Sequence, residues 1–273
     1  MTASMANHEH EHEHEHEHGH EHEHVNITAV TSGKGGVGKT FVSANLAAAL
    51  ARHGKKVLVL DADLGLANLD VVLNLYPKVT LHDVFTAKCT LAEAILPAPG
   101  GFSVLLAGSG MVEYSRMTPE VRDQLQRVID EVAPRFDHVL LDTGAGISDV
   151  VLYTVSLAGR VLVVATPEPT SLTDAYATIK VLATTQGRRR IGLLVNQTRK
   201  PGEGRTVRLQ LQQVVDRYVN PPLDSPVQLD LLGEIPADPA VRDAVQQRKL
   251  LVLAMPGAPA AVAMVSLAAR IDG

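Results

Sequence analysis

Tryptophan is absent from this 273-residue chain, aromatic residues make up only 3% of it, and cysteine occurs once, at Cys89. Each scarcity excludes a class of function. Few aromatics leave no stacking platform for single-stranded nucleic acid. One cysteine rules out an intramolecular disulfide and a cysteine-only metal site within one chain, and it fits a reducing, cytoplasmic setting. No apolar run reaches the roughly 18–20 residues that span a bilayer, and the N-terminus lacks the apolar core of a signal peptide. What remains, 45% hydrophobic residues, is enough for one large α/β domain with a deep core.

The formal charge of −5 conceals the character of the body. Residues 8–24 alternate His and Glu around Gly19, holding nine of the 12 histidines and seven of the 30 acidic residues. None of the 25 basic residues lies there, so the rest of the chain is near +2, neither the field of a dedicated DNA binder nor an acidic one. The tract, residues 1–24, reads as a disordered purification handle or low-complexity tail with nothing to bury. The alternative is a store for Zn²⁺ or Ni²⁺, since imidazoles at every second position can chelate.

The chemistry begins at Gly33-Lys34-Gly35-Gly36-Val37-Gly38-Lys39-Thr40. This run fits G-x-x-x-x-G-K-[ST], in which backbone N–H groups cradle phosphate oxygens, the lysine (Lys39) reaches the β/γ-phosphates and the hydroxyl (Thr40) binds Mg²⁺. It also carries one lysine too many. Lys34, one residue after the first glycine, can lean out toward a nucleotide held by a second copy of the chain. Residues 25–30 read as a buried strand entering the loop. Residues 41–51, starting at Phe41, read as an Ala/Leu-rich helix leaving it and ending near Gly54. Strand, glycine loop and helix N-terminus in that order form an anion site.

Further apolar runs at 57–60, 103–107, 138–142, 161–165, 191–195 and 231–235 alternate with helical stretches at 118–133, 172–186, 205–219, 238–247 and 258–271. That alternation predicts a single doubly wound, mostly parallel β-sheet flanked by helices. Polar residues gather at the strand ends, where such sheets bind ligands. Asp61 and Asp63 leave the second strand at i, i+2, a spacing that puts both carboxylates on one side of extended chain. One suits a Mg²⁺-bound water, the other the attacking water. Asp142-Thr143-Gly144-Ala145-Gly146 leaves another strand, its Asp suited to the metal's surroundings and its glycines to a backbone that closes on a γ-phosphate. Any one of these Asp could be a turn former; three in this order after the loop point to nucleotide chemistry. Asn196 leaves the strand at 191–195, where it either reads a purine edge or shapes the loop. Pro236 and Asp238 could form the other wall of a base pocket through backbone contacts.

Taken together, the loop with its extra lysine, residues 61–70, 142–146 and the Asn196 segment resemble the deviant-Walker P-loop NTPases of the MinD/ParA group. Asp61–Asn68, residues 142–148, Leu81-His82-Asp83-Val84 and residues 100–110 are most similar to its FlhG branch (also called FleN or YlxH). The resemblance runs from about residue 25 to 271. It implies an ATPase, slow unless stimulated, that forms a homodimer on ATP and returns to monomers on hydrolysis to ADP. Its cofactors would be ATP/ADP and Mg²⁺. The implied catalytic residues are Lys34, Lys39 and Asp63, with Thr40, Asp61 and Asp142 about the metal. Residues 33–41, with Asn196, Pro236 and Asp238, would hold the nucleotide. The implied output is control of flagellar number or placement, through an FlhF-type GTPase and flagellar basal-body or regulatory proteins, from partner surfaces near 147–157 and 172–182.

Two departures limit the resemblance. The His/Glu tract stands where such proteins carry a motif that stimulates the GTPase. The alanine-rich segment 260–273 holds one base, Arg270, and reads as a core-packing helix instead of a membrane anchor, so peripheral attachment at the inner membrane is unsupported. A ParA-type partition ATPase, using Arg188-Arg189-Arg190 and Arg199-Lys200 on DNA phosphates, is the nearest rival, which the body charge disfavours. A metal-handling NTPase using the His-rich tail is the rival of another class. Iron–sulfur carriers with the same loop need cysteine pairs, which Cys89 cannot supply.

Overall fold

In the computed structural model, which describes residues 26–64, 68–108 and 116–273, eight strands form one sheet. They are β1 (Ile27–Ser32), β2 (Val57–Ala62), β3 (Ile95–Pro97), β4 (Ser103–Leu105), β5 (His138–Ala145), β6 (Arg160–Ala165), β7 (Arg190–Thr198) and β8 (Gln228–Pro236). Their order is β3-β4-β2-β5-β1-β6-β7-β8. All neighbours pair parallel except β3 with β4. The loop-bearing β1 is thus central. The His/Glu tract, Gly65-Leu66-Ala67 and Ser109-Gly110 lie outside the described residues.

The helices are α1 (Lys39–Arg52), α2 (Leu69–Leu73), α3 (Leu81–Phe85), α4 (Leu91–Ala94), α5 (Pro119–Val132), α6 (Asp149–Ser156), α7 (Pro169–Thr185), α8 (Glu203–Tyr218), α9 (Pro239–Gln246), α10 (Leu251–Ala254) and α11 (Pro259–Asp272). The five long helices expected between 118 and 271 are present. Their starts carry local signals: Pro stands at the first position of α5, α7, α9 and α11, where its missing N–H costs nothing. Thr118 also accepts from the Val121 N–H, an N-cap worth about 1 kcal/mol. Strand β3 and the short helices α2, α3, α4 and α10 were not expected. β3 is three residues ending in proline, tolerated because it pairs only at the sheet edge.

Alternation along each strand divides the core between the two faces. Ile27, Ala29, Leu58, Leu60, Val139 and Leu141 join residues of α5, α6, α7 and α8. Their alternates Val30, Val57, Val59 and Leu140 join α1, α10 and α11. Every residue of α1 from Phe41 to Leu50 is buried, because α11 covers its outer side with Ala260, Ala261, Met264 and Ala268. Small side chains on both helices permit that closeness. The expectation of a core-packing C-terminal helix is met.

The arginine run at 188–190 is part of this scaffold. Arg188 donates to the carbonyls of Val155, Ala158 and Gly159 at the end of α6. Arg189 holds the Ala183 carbonyl and Ser225, and Arg190 pairs with Asp230 at 3.0 Å. The run staples strand β7 to its surroundings, which takes further support from the rival reading of these side chains as DNA phosphate contacts.

Candidate functional site

β1 ends at Ser32 and the chain turns through residues 33–38 into α1. Gly38 caps α1 at φ 98° and makes no side-chain cap, so the first-turn N–H groups stay open for an anion. A left-handed φ favours glycine, and a Cβ there would stand 2.6 Å from the Asn196 amide nitrogen. Gly33 is required by packing: a Cβ would lie 2.1 Å from the Asp174 carbonyl oxygen of α7. Val37 is buried and anchors the loop to the core.

Over this loop lies a cavity of about 550 Å³, within the small-ligand range. Gly35, Gly36, Gly38, Lys39, Thr40 and Phe41 line one wall. Asp63, Leu64 and Asn68 form the second, and Thr143, Gly144, Ala145, Ser148, Val150 and Val151 the third. Residues from three separate strand ends therefore meet at one opening.

The buried carboxylates lie just beneath. β2 and β5 pair so that Asp61 stands directly beside Asp142, each 2% exposed. Burial, reinforced by the charge of Asp142, holds Asp61 well above the usual carboxylate range, although it accepts from the N–H groups of Asp63 and Leu69. Asp142 is pushed up to about 6 by burial, against the hydroxyls of Thr40 and Ser43 and the charge of Lys39. Ser43 donates to it at 3.0 Å. Lys39 donates to Ser32 Oγ at 2.9 Å, and burial lowers its pKa against the pull of Asp142 and Asp63. Two adjacent buried carboxyls that resist ionising together, beside a threonine hydroxyl, are a hard-oxygen set suited to a divalent cation. Thr40, Asp61 and Asp142 fit Mg²⁺.

β2 stops at Ala62, one residue before Asp63, and the charge of Asp63 acts on Asp61, Asp142 and Lys39 alike. Asp61 withdraws beneath the cavity and Asp63 alone of the two lines it, with Oδ1 3.3 Å from where a Cβ on Gly144 would sit.

Lys34 does not enter the cavity. Its Nζ lies 3.0 Å from Thr170 Oγ1 and 3.3 Å from Glu168 Oε2 at the start of α7, 40% exposed. Asn196 lies beneath the loop, donating to the Val37 carbonyl at 2.8 Å and accepting from the Gln197 N–H at 2.9 Å, so its amide buttresses the glycines. Pro236 ends β8 beside Thr198. The Asp238 carboxylate caps two helices, accepting from Ala240 N at 2.9 Å and Ala260 N at 3.1 Å. Neither lines the cavity. Their neighbours Gln197 and Ala237, with Thr166 to Pro169, Arg199 and Glu203, line a separate hollow of about 310 Å³.

Several contributors went unread in the sequence. Ser32 carried a signal, standing immediately before the first glycine. Asn68, which accepts from Thr40 Oγ1 at 3.2 Å and caps α2, could have been found as a cap residue. Ser43, Glu168 and Thr170 had none. Of the expected partner surfaces, Ile147 is 46% exposed, whereas α7 buries Ala175, Ile179 and Leu182.

Residues 23–272 match the ParA family, described as NUBPL iron-transfer P-loop NTPase. The chain is 43% identical over 246 residues to antiactivator FleN of Pseudomonas aeruginosa, covering 90% of this chain and 86% of FleN. It is 33% identical over 225 residues to the flagellum site-determining protein YlxH of Helicobacter pylori, covering 82% and 74%. Its fold is similar to the cell division ATPase MinD of Pyrococcus furiosus (TM-score 0.75, 29% identity, 90% of this chain and 98% of that one). It is also similar to MinD complexed with Mg-ADP from Pyrococcus horikoshii (TM-score 0.73, 29% identity, 90% and 96%). MinD in the MinC:MinD complex of Aquifex aeolicus matches at TM-score 0.72 and 29% identity, over 90% and 94%.

Proposed function

The chain belongs to the FlhG/MinD/ParA family of P-loop ATPases, and on that premise we propose that it is an ATP-operated switch setting the number or placement of flagella. It hydrolyses ATP to ADP and phosphate with Mg²⁺. The loop N–H groups and Lys39 hold the β/γ-phosphates. Thr40, Asp61 and Asp142 hold the Mg²⁺, which neutralises phosphate charge when bound. Asp63 orients the attacking water by accepting its hydrogen bond. Lys34 reaches the phosphates bound by a second protomer, adding the cation that developing transition-state charge needs. Hydrolysis then belongs to the dimer, and conversion of its ATP to ADP returns monomers. From beneath the loop, Asn196 would offer the base the donor and acceptor capacity left by its backbone bonds, while Pro236 and Asp238 contribute main chain.

The observation that carries this reading is the division between the two loop lysines. Lys39 turns inward to Ser32, while Lys34 turns outward onto Glu168 and Thr170 at the rim, leaving the site short of one cation. The output follows from the relatives: one is named an antiactivator and another a flagellum site-determining protein. Family members act through bound proteins, as MinD does with MinC; here an FlhF-type GTPase and basal-body or regulatory proteins are the partners. Residues 25–273 form the ATPase domain, which works in the cytoplasm. Among the described residues no helix is long and apolar enough to cross a membrane. The partition reading has less support, since the arginine run is committed to carbonyls and Asp230.

The test is solution mass by light scattering on Asp63→Ala, which should bind ATP without turning it over. ATP with Mg²⁺ should double the mass, ADP should not, and Lys34→Ala should abolish the change. A monomer in every state, with ATP binding confirmed, would sink the trans-lysine mechanism.

A further inference from the structure

Away from the nucleotide cavity, a groove of about 360 Å³ runs between α2 and the segment joining α9 to α10. Leu73, Leu75, Pro99, Leu250 and Leu253 give it an apolar floor, and Arg248 and Lys249 stand along one wall. Leu253, 41% exposed, lines it, Tyr76, 82% exposed, meets Arg248 at its mouth, and α2 and α9 beside it carry the exposed Val71 and Val245. Such clustering on a soluble surface marks a contact site. Arg248 bridges the groove's mouth, donating to Asn74 Oδ1 at 3.3 Å and Tyr76 Oη at 3.4 Å. No carboxylate lines it.

The two walls are held differently. The α10 wall is fixed to α1, since Val252 N donates to Asn45 Oδ1 at 3.1 Å and Arg52 donates to the Val252 carbonyl at 2.9 Å. The α2 wall rests on α1 through buried Leu69 and Leu73, and it is also tied to the nucleotide site. Its cap Asn68 accepts from Thr40 Oγ1, and its first N–H, on Leu69, donates to Asp61 Oδ2 at 3.4 Å. Any ligand that recruits Thr40 and Asp61 therefore pulls on the two groups that tie α2 to the site.

We propose that this groove docks the apolar face of an amphipathic helix with acidic flanks, carried by a partner protein, and that nucleotide at the loop sets its width by moving α2. The concave floor takes a ridge of side chains spaced i, i+4, which a flat bilayer does not offer. A second copy packing the same face would bring Arg248 and Lys249 against their equivalents across a twofold axis, a like-charge contact. Glutamates beside the apolar ridge meet those cations instead. The gating half rests on the nucleotide reading of the loop.

The probe is a fluorescein-labelled designed helix of about 18 residues, five turns, with leucines along one stripe and glutamates flanking it. Fluorescence anisotropy follows its binding to the full chain without nucleotide, with ADP and Mg²⁺, and with ATP and Mg²⁺. Binding should weaken at least about tenfold in Leu253→Glu and in the double reversal Arg248→Glu/Lys249→Glu. A lysine-flanked peptide should also bind at least about tenfold less tightly, and affinity should change between the nucleotide states. Retained binding of a fluorescent ATP analogue shows that the variants are folded. No binding up to about 100 μM, or equal binding by Leu253→Glu, overturns the docking site. Capture of anionic vesicles that Leu253→Glu abolishes, or a dimer that it dissolves, assigns the groove to a bilayer or a second copy and overturns the proposal equally. Peptide binding indifferent to ATP while the analogue binds overturns the gating. Failure of the analogue to bind the unaltered protein would sink the nucleotide reading and the gating with it, leaving the groove to stand or fall on the peptide.

Discussion

Replacing Asp142 by asparagine should make the nucleotide-free protein more stable at neutral pH, although it removes a residue assigned to the metal. Asp142 lies in the middle of the sheet beside Asp61, 2% exposed, and burial raises its carboxyl from 3.8 to about 6. A folded-state value above the unfolded one means that the native protein keeps its proton longer as pH rises. This group's contribution is therefore most favourable below about pH 4 and is lost between about pH 4 and 6. The gap amounts to about 3 kcal/mol once the carboxylate is ionised in both states. Asparagine keeps an oxygen for the Ser43 hydroxyl, has nearly the same shape and never ionises. The variant should gain up to about 3 kcal/mol over the parent at pH 7.5, shrinking toward zero near pH 4. With no tryptophan as a fluorescent reporter, the assay is urea unfolding followed by circular dichroism in EDTA, across that pH range. Comparing the two proteins at each pH removes the opposing contribution of carboxylates held low in both, such as Asp83, Glu93 and Asp272. A gain independent of pH, or a loss at pH 7.5, would refute the reasoning. Mg²⁺ with ATP should stabilise the parent and not the variant.

Gly33→Ala places a methyl 2.1 Å from the Asp174 carbonyl oxygen, so the loop or α7 must shift; a loss above about 2 kcal/mol in urea midpoint analysis is expected. Asp238→Ala removes caps from both α9 and α11 and should cost about 2 kcal/mol with nucleotide affinity unchanged in an ATP-analogue titration. A large fall in that affinity would show the carboxylate touching the ligand. Glu168→Gln weakens a pair whose members are 40% and 59% exposed, so stability should move by less than about 0.5 kcal/mol. The freed Lys34 should lower the protein concentration at which ATP and Mg²⁺ produce dimer in light scattering, and an unchanged or higher threshold would count against the rim contact as a restraint on dimerisation.

Much of this molecule was legible in the residues alone because the signals are local. The phosphate loop is a continuous run whose glycines serve backbone geometry, and it lies between a strand and a helix that period and composition reveal. The same apolar runs place Asp61 near the end of β2, whereas Asp142, expected to close its strand, lies inside β5, which pairs on to Ala145. Helix starts at Pro119, Pro239 and Pro259 were readable because proline pre-sets φ. Short elements were less so: β3 and α2 have too few residues for a period to appear.

What the tertiary structure alone decided are the distances that no local propensity sets. Crossover packing put β5 between β1 and β2, and so brought Asp61 against Asp142. It brought Asn196 under Val37 across 159 residues and Lys34 onto Glu168 across 134. It turned Asp238 into a double cap and the arginine run into a staple, roles invisible until the carbonyls and N–H groups they satisfy have been brought near. It also built the groove at Leu253, whose walls come from α2 and the chain after α9. Sequence determines which groups are available and how each short segment folds; burial of two apolar faces against one sheet determines which of those groups meet.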